Sequence, residues 1–275
     1  MDGHEPGHRR LHPSYGITDI PQHNLGLSEQ TPDWSRNGAK IVYMGHPQNG
    51  ADDRIDLQDI WVMDANGEHK TQLTNTPWRE EVPAWTADDR IVFCGQDSND
   101  RDNWDIYRMN ADGSGLTNLT NTPASTFECW PSPAPSGNRL AFTRATETSL
   151  EIWTMKLDGT GQRRVTDGLI SDWSPSGNDL AFDRFNAAGT DRDIWIAHTD
   201  GTGLRQLTNT PSRRESFPSW SPDGTAIAYQ GLVVSGVFNI FSTTLATGSE
   251  QLLLADSPPT TYSVAAAAWQ PVVKP

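Results

Sequence analysis

Short apolar runs, separated by polar and turn-forming stretches, recur along the chain. One class reads IVYMG, IVFCG, LAFTR, LAFDR and IAYQG; a second reads DIWVMD, DIYRMN, EIWTMK, DIWIAH and NIFSTT. Runs this short and this rich in β-branched and aromatic side chains suit strands. A turn such as SPDG leads into the first class. Proline presets φ there at Pro222 or Pro175, and Gly224 or Gly177 supplies a positive φ. Asp-Gly or Asn-Gly hairpin dipeptides follow the second class in DANGEH, NADGSG, LDGTGQ and HTDGTG. A brief third run then appears as TQLT, TNLT, RRVT, RQLT or QLLL. With the strand that ends at the tryptophan ahead of each turn, the pattern predicts all-β units of four antiparallel strands, A to D.

The tryptophans measure the repeat. Trp34, Trp85, Trp130, Trp173, Trp220 and Trp269 serve as strand-A anchors, with gaps of 51, 45, 43, 47 and 49 residues. The phrase LTNTP, at 73–77, 119–123 and 207–211, marks the end of a strand D and the passage to the next unit. One such unit cannot cover both of its faces, whereas radial stacking of copies does. Trp269 has too little chain after it, while YGITDI and HNLGLS, ahead of Trp34, supply a strand C and a strand D. Residues 1–33 and 262–275 together make 47 residues, one repeat length. The expected architecture is a single six-bladed β-propeller over 1–275. Its blades start near residues 29, 80, 125, 168 and 215, and 262–275 plus 14–28 form the sixth. N- and C-terminal strands then share one blade, which removes open sheet edges. Residues 1–13 are expected to be a disordered tail, and five blades with a stray strand is the rival count.

Composition narrows the function classes. A net charge of −14 argues against nucleic acid and anionic membrane as partners, since both demand a basic surface. No apolar run reaches membrane-spanning length. HRRL near the N-terminus lacks a following apolar segment, so no export signal is read in the chain. Cytoplasm is the default, and the periplasm or the exterior is the alternative for a form whose signal has been removed. A monomer is expected. Cys94 and Cys129 are read as two buried thiols, with a single bridge as the alternative.

WSPDGTAIAYQ, DIWVMDANG, DIYRMNADGSG and QLTNTP resemble the TolB-like, or PD40, family of WD40-like propellers, over about residues 29–270. The resemblance implies a bacterial β-propeller. That family includes periplasmic scaffolds that bind partner peptides, propellers attached to hydrolases, some polysaccharide lyases and cation-binding propellers. WTADDR and WPSPAPSGN depart from its A–B turn pattern.

Topology puts the short A–B and C–D turns on one face and the longer B–C and D–A connections on the other, where function gathers. Glu29, Glu80, Ser125, Gly168, Glu215 and Val264 each stand five residues before an anchor, near the tunnel mouth. Glu29, Glu80 and Glu215 are the candidate metal ligands, for Ca²⁺ or a similar hard cation; Arg79 and Arg214 beside them offer local neutralisation. Arg144 and Arg184 end strand B where other blades carry glycine, and with Asp183, Arg79 and Arg214 they form the candidate ligand-binding set. His46 and Tyr43 are candidate proton acceptors. The recurrent Asp59, Asp105 and Asp193 suit a structural capping role. HEPGH at 4–8 matches the letters of a zinc-protease string, but Pro6 and Gly7 oppose the helix that chemistry needs. The resulting expectation is a propeller that binds a peptide or a small acidic ligand at the long-loop face and tunnel mouth. The alternative is a cation-dependent lyase or hydrolase acting on an acidic saccharide or related small molecule.

Overall fold

The computed structural model describes residues 30–45, 58–96, 103–123, 126–135, 137–211, 213–232 and 238–255. Among them are twenty strands and no helix. The first unit comprises β1 (Gln30–Trp34), β2 (Lys40–Gly45), β3 (Asp59–Asp64) and β4 (Thr71–Gln72). The second comprises β5 (Glu80–Trp85), β6 (Arg90–Gln96), β7 (Trp104–Asn110) and β8 (Thr117–Asn118). The third comprises β9 (Phe127–Pro133), β10 (Arg139–Ala145), β11 (Leu150–Lys156) and β12 (Arg163–Asp167). The fourth comprises β13 (Leu169–Trp173), β14 (Asp179–Phe185), β15 (Arg192–His198) and β16 (Arg205–Gln206). The fifth comprises β17 (Arg214–Trp220), β18 (Ala226–Leu232), β19 (Phe238–Thr244) and β20 (Glu250–Ala255). Each is a four-stranded antiparallel meander, and one parallel pairing, Trp104 with Phe127, joins the second and third. The strands expected from 14–28 and 262–275, and HEPGH, lie outside the described residues.

Side chains alternate across a strand, so the second strand of each unit serves two interfaces. Val92 and Cys94 face the third unit, where Leu140 and Phe142 receive them. Val42 and Met44 meet Ile91 and Phe93 in the same way. Ala141 meets Leu180 and Phe182, and Ala181 meets Ile227 and Tyr229. Phe93, Phe142, Phe182 and Tyr229 are at most 1% exposed, and burying each ring contributes about 2 kcal/mol. The equivalent face of the first unit, Ile41 and Tyr43 with Trp61 and Met63, forms a cluster of its own.

Three features correct or refine the sequence reading. Cys94 and Cys129 are joined as a disulfide, with Cα atoms 5.0 Å apart, so they are not free thiols. Stacking brings the second strand of one unit against the first strand of the next, which spacing along the chain does not reveal. The third anchor is Pro133, not Trp130: Pro133 pairs with Leu140 as Trp85 pairs with Ile91 and Trp220 with Ile227. Finally, Thr31, Val82, Trp130, Ile170 and Phe217 share one position in the five first strands, each with positive φ. Every first strand is bulged there. Proline follows in four of the five, at Pro32, Pro83, Pro131 and Pro218, where it spares the bulge an unpaired N–H.

Candidate functional site

The long-loop end of each unit is held by the phrase that recurs in the sequence. The first threonine of each copy, Thr74, Thr120 or Thr208, accepts the N–H of Ile60, Ile106 or Ile194 at 2.8, 3.0 and 2.9 Å. The aspartate before each isoleucine is buried and accepts from strand D: Gln72 to Asp59 at 2.8 Å, Asn118 to Asp105 at 2.8 Å and Gln206 to Asp193 at 2.9 Å. Asp105 also takes the Thr122 N–H and hydroxyl, at 2.9 and 3.0 Å. These aspartates cap the turn out of strand D, as expected from their repeat position.

The clasp continues into the next unit. Thr208 donates to Glu215, and the Thr76 hydroxyl lies 3.2 Å from Glu80. Corrected for the Pro133 anchor, the third member of this series is Glu128; Ser125 lies outside the described residues. Glu then Pro three residues on (Glu80–Pro83, Glu128–Pro131, Glu215–Pro218) is the signal that finds it. All three glutamates are at most 1% exposed. Burial pushes Glu80 up to about 7, with the Thr74 hydrogen bond opposing and the Asp59 charge adding to the rise. Burial also raises Glu128 and Glu215, against the pull of Thr120 and Arg144 on one and Thr208 and Arg213 on the other.

Of the expected metal ligands, Glu29 lies outside the described residues. Glu80 keeps one buried oxygen, Oε2, without a hydrogen bond among the described residues, whereas both oxygens of Glu215 are engaged, by Thr208 and Arg213. Among the described residues no three His, Cys, Asp or Glu side chains converge.

The arginines sort by unit. Arg144 donates to Glu128 at 2.5 Å and to Gln162 at 2.7 Å, and its guanidinium covers the Trp153 ring at 4.0 Å. Arg184 covers Trp195 at 5.2 Å and reaches Asp167 at 3.5 Å. Where the other units carry glycine, the strand-C aromatic takes that space: a Cβ on Gly231 would fall 2.7 Å from Phe241 and 2.9 Å from Arg213. Arg213, rather than Arg214, serves Glu215, through Nε at 2.9 Å and Nη2 at 2.7 Å, and reaches Glu250 at 3.0 Å. Arg79 likewise pairs with Glu81, not Glu80. Neighbours in a strand face opposite ways, so i and i+2 meet. Arg214 is exposed at the start of β17. Asp183 is fully buried, bonded to Arg192 at 2.7 Å, and burial raises it to about 6 against the Arg192 charge. Tyr43 is buried with Ile41, Trp61 and Met63; His46 lies outside the described residues.

Two further carboxylates, unmarked in the sequence reading, stand at the inner edge where first strands pack. Asp33 accepts the Trp85 N–H at 2.7 Å, and Asp172 accepts that of Trp220 at 2.8 Å, each from the following unit. The equivalent acceptor before Pro133 is Ala84, and proline has no N–H to offer. Desolvation raises Asp33 to about 6 and Asp172 to about 7, backbone hydrogen bonds opposing. The Asp33 charge further raises Asp172.

This arrangement has counterparts among solved structures. The chain superposes on the putative TolB of Agrobacterium tumefaciens with a TM-score of 0.68 at 15% identity, covering 82% of this chain and 80% of that one. The fold is that of a TolB-like β-propeller. TolB of Acinetobacter baumannii follows with a TM-score of 0.66 at 20% identity, the propeller covering 81% of this chain and 54% of that one. An oligogalacturonate lyase of Vibrio parahaemolyticus gives a TM-score of 0.59 at 12% identity, with 82% and 65% covered. In sequence, 111 residues are 30% identical to an uncharacterized protein of Agrobacterium fabrum, so this propeller matches 36% of its own length and 38% of that relative's. No protein-family model matches the sequence. In propeller terms the five units are blades, and the Thr–Asp–Glu clasps lie at the end from which the long connections leave.

Proposed function

We propose that the chain is a binding propeller that holds a partner peptide or a small acidic ligand at the long-loop face and channel mouth. The observation that carries this reading is the row of buried clasps under that face. They fix the strand ends from which the long connections depart, and rigid frames with variable loops are how binding surfaces are built. The overlap with the putative TolB structure, over 82% of this chain and 80% of that one, supports it. Trp78, half-buried on the loop after the first LTNTP, is the kind of side chain that anchors a partner. A photo-crosslinking residue placed at 78 should capture a partner from an envelope extract, and one placed at Asn66, in a C–D turn, should not. Equal capture from both positions defeats the reading.

Six blades with a shared closing blade belong to the same proposal. The apolar face that the first unit turns toward the place of a preceding one, Ile41 and Tyr43 with Trp61 and Met63, supports it, as does the influence of the Asp33 charge on Asp172. A chain cut before residue 262 should unfold with a shallower denaturant dependence. The Cys94–Cys129 bridge supports a periplasmic or extracellular site of action. The lyase neighbour supports a second reading, cleavage of an acidic saccharide with a cation held at Glu29, Glu80 and Glu215 and the substrate's carboxylates at Arg144 and Arg184. Absorbance from an unsaturated product on mixing with oligogalacturonate and Ca²⁺ tests the reaction. Equal melting temperatures in Ca²⁺ and in EDTA would remove the cation.

A further inference from the structure

A cleft of about 400 Å³ opens at the other end of the molecule, among the A–B and C–D turns of the first three blades. Its walls carry Arg36, Arg90, Arg108 and Lys156 against only Asp88 and Asp158. In a chain of net charge −14, a local surplus of two positive charges in a concave site is against the trend of the molecule. The guanidinium groups are also positioned. Arg108 donates through Nη1 to the Leu157 carbonyl of the next blade, which holds its fork across the blade boundary. Arg90 is held by Asp88, its Nε donating at 2.8 Å. The Asp158 carboxylate is turned into its own turn, where it accepts the Thr160 N–H at 2.9 Å and the Thr160 hydroxyl at 2.6 Å. Arg36 and Lys156 stand exposed at the rim and form no ion pair among the described residues.

We propose that this cleft among the first three blades binds a small multivalent oxyanion, such as a phosphate ester or a polycarboxylate. An arginine has five donors in a planar fork, and one bond to a carbonyl leaves the others for oxyanion oxygens. Two charges held in place by protein contacts and two at a mobile rim suit a compact ligand carrying at least two negative charges. The site is independent of the long-loop face, because every wall residue comes from the opposite end of the blades or from strand positions next to it.

Calorimetric titration of the full chain with pyrophosphate and with citrate, at ionic strength matched with sodium chloride, tests this. Both should bind where chloride does not. The double variant Arg36→Gln, Lys156→Gln changes only exposed side chains and should bind at least about tenfold more weakly at an unchanged melting temperature. Arg205→Gln, exposed on β16 of the fourth blade, should leave the affinity as it was. Binding no better than chloride, equal binding by the double variant, or loss on Arg205→Gln would each overturn the proposal.

Discussion

The recurrent phrase LTNTP is a set of hydrogen-bonding positions rather than a ligand motif. Its first threonine accepts a strand-C N–H and serves the glutamate of the following blade, so one hydroxyl joins three segments. Valine has the same shape without that hydroxyl. Thr208→Val should therefore lower unfolding stability by about 3 kcal/mol, because a buried N–H and a buried carboxylate each lose a partner. Thr208→Ser should retain most of it, and denaturant titration of both variants separates hydroxyl loss from packing loss. At the same scale, Arg213 and Glu128 escaped the sequence reading. Arg214 is next to Glu215 in the chain, but strand alternation gives the contact to Arg213. Trp130 looked like an anchor because it is a tryptophan, although its strand pairing belongs to Pro133.

At the scale of elements, the hairpin turns do more than reverse the chain. Gly159 has φ +84°, and a Cβ there would lie 2.5 Å from the Leu119 carbonyl oxygen of the preceding blade. Gly161, two residues on in the same turn, has φ +68° with nothing within 4 Å among the described residues. Both substitutions to alanine incur the left-handed backbone cost of about 1–2 kcal/mol, but only Gly159→Ala adds a backbone collision. Gly159→Ala should thus be the more destabilising of the two, by at least about 1 kcal/mol, and a paired thermal melt reads the difference. The disulfide acts between elements as well, tying β6 to β9 across 35 residues of chain. Reduction, or Cys94→Ser with Cys129→Ser, should lower stability by about 3–4 kcal/mol on the loop-entropy account, and mass analysis under non-reducing conditions should show no free thiol.

At the scale of the molecule, buried carboxylates set the pH response. Asp33 and Asp183 are raised to about 6, and Asp172 and Glu80 to about 7. Their unfolded values lie near 4, so between pH 4 and 7 the folded chain binds more protons than the unfolded one. The stability they contribute is fully present below the unfolded values and is lost as pH rises through 6 to 7. Growing negative charge on a chain of pI ≈ 4.8 acts in the same direction. The melting temperature should be higher at pH 5 than at pH 7.5. Asp172→Asn keeps an acceptor for the Trp220 N–H without the charge, and should shrink that difference. An unchanged pH slope in this variant would show that Asp172 is not among the groups responsible.

Local chemistry was enough to read strands, turns and their order from the chain, because β-branched runs, Asp-Gly turns and a spacing near 47 residues are written residue by residue. The capping role of Asp59, Asp105 and Asp193 was legible for the same reason: it repeats. Contacts between blades were not. The Cys94–Cys129 bridge, Glu128 as a clasp, Arg213 in place of Arg214, the Asp33 and Asp172 acceptors for the next unit's N–H groups and the cationic cleft all join segments from different blades or depend on strand register. A one-residue slip moves every side chain to the opposite face, so such contacts exist only once neighbouring sheets have stacked and their register is set.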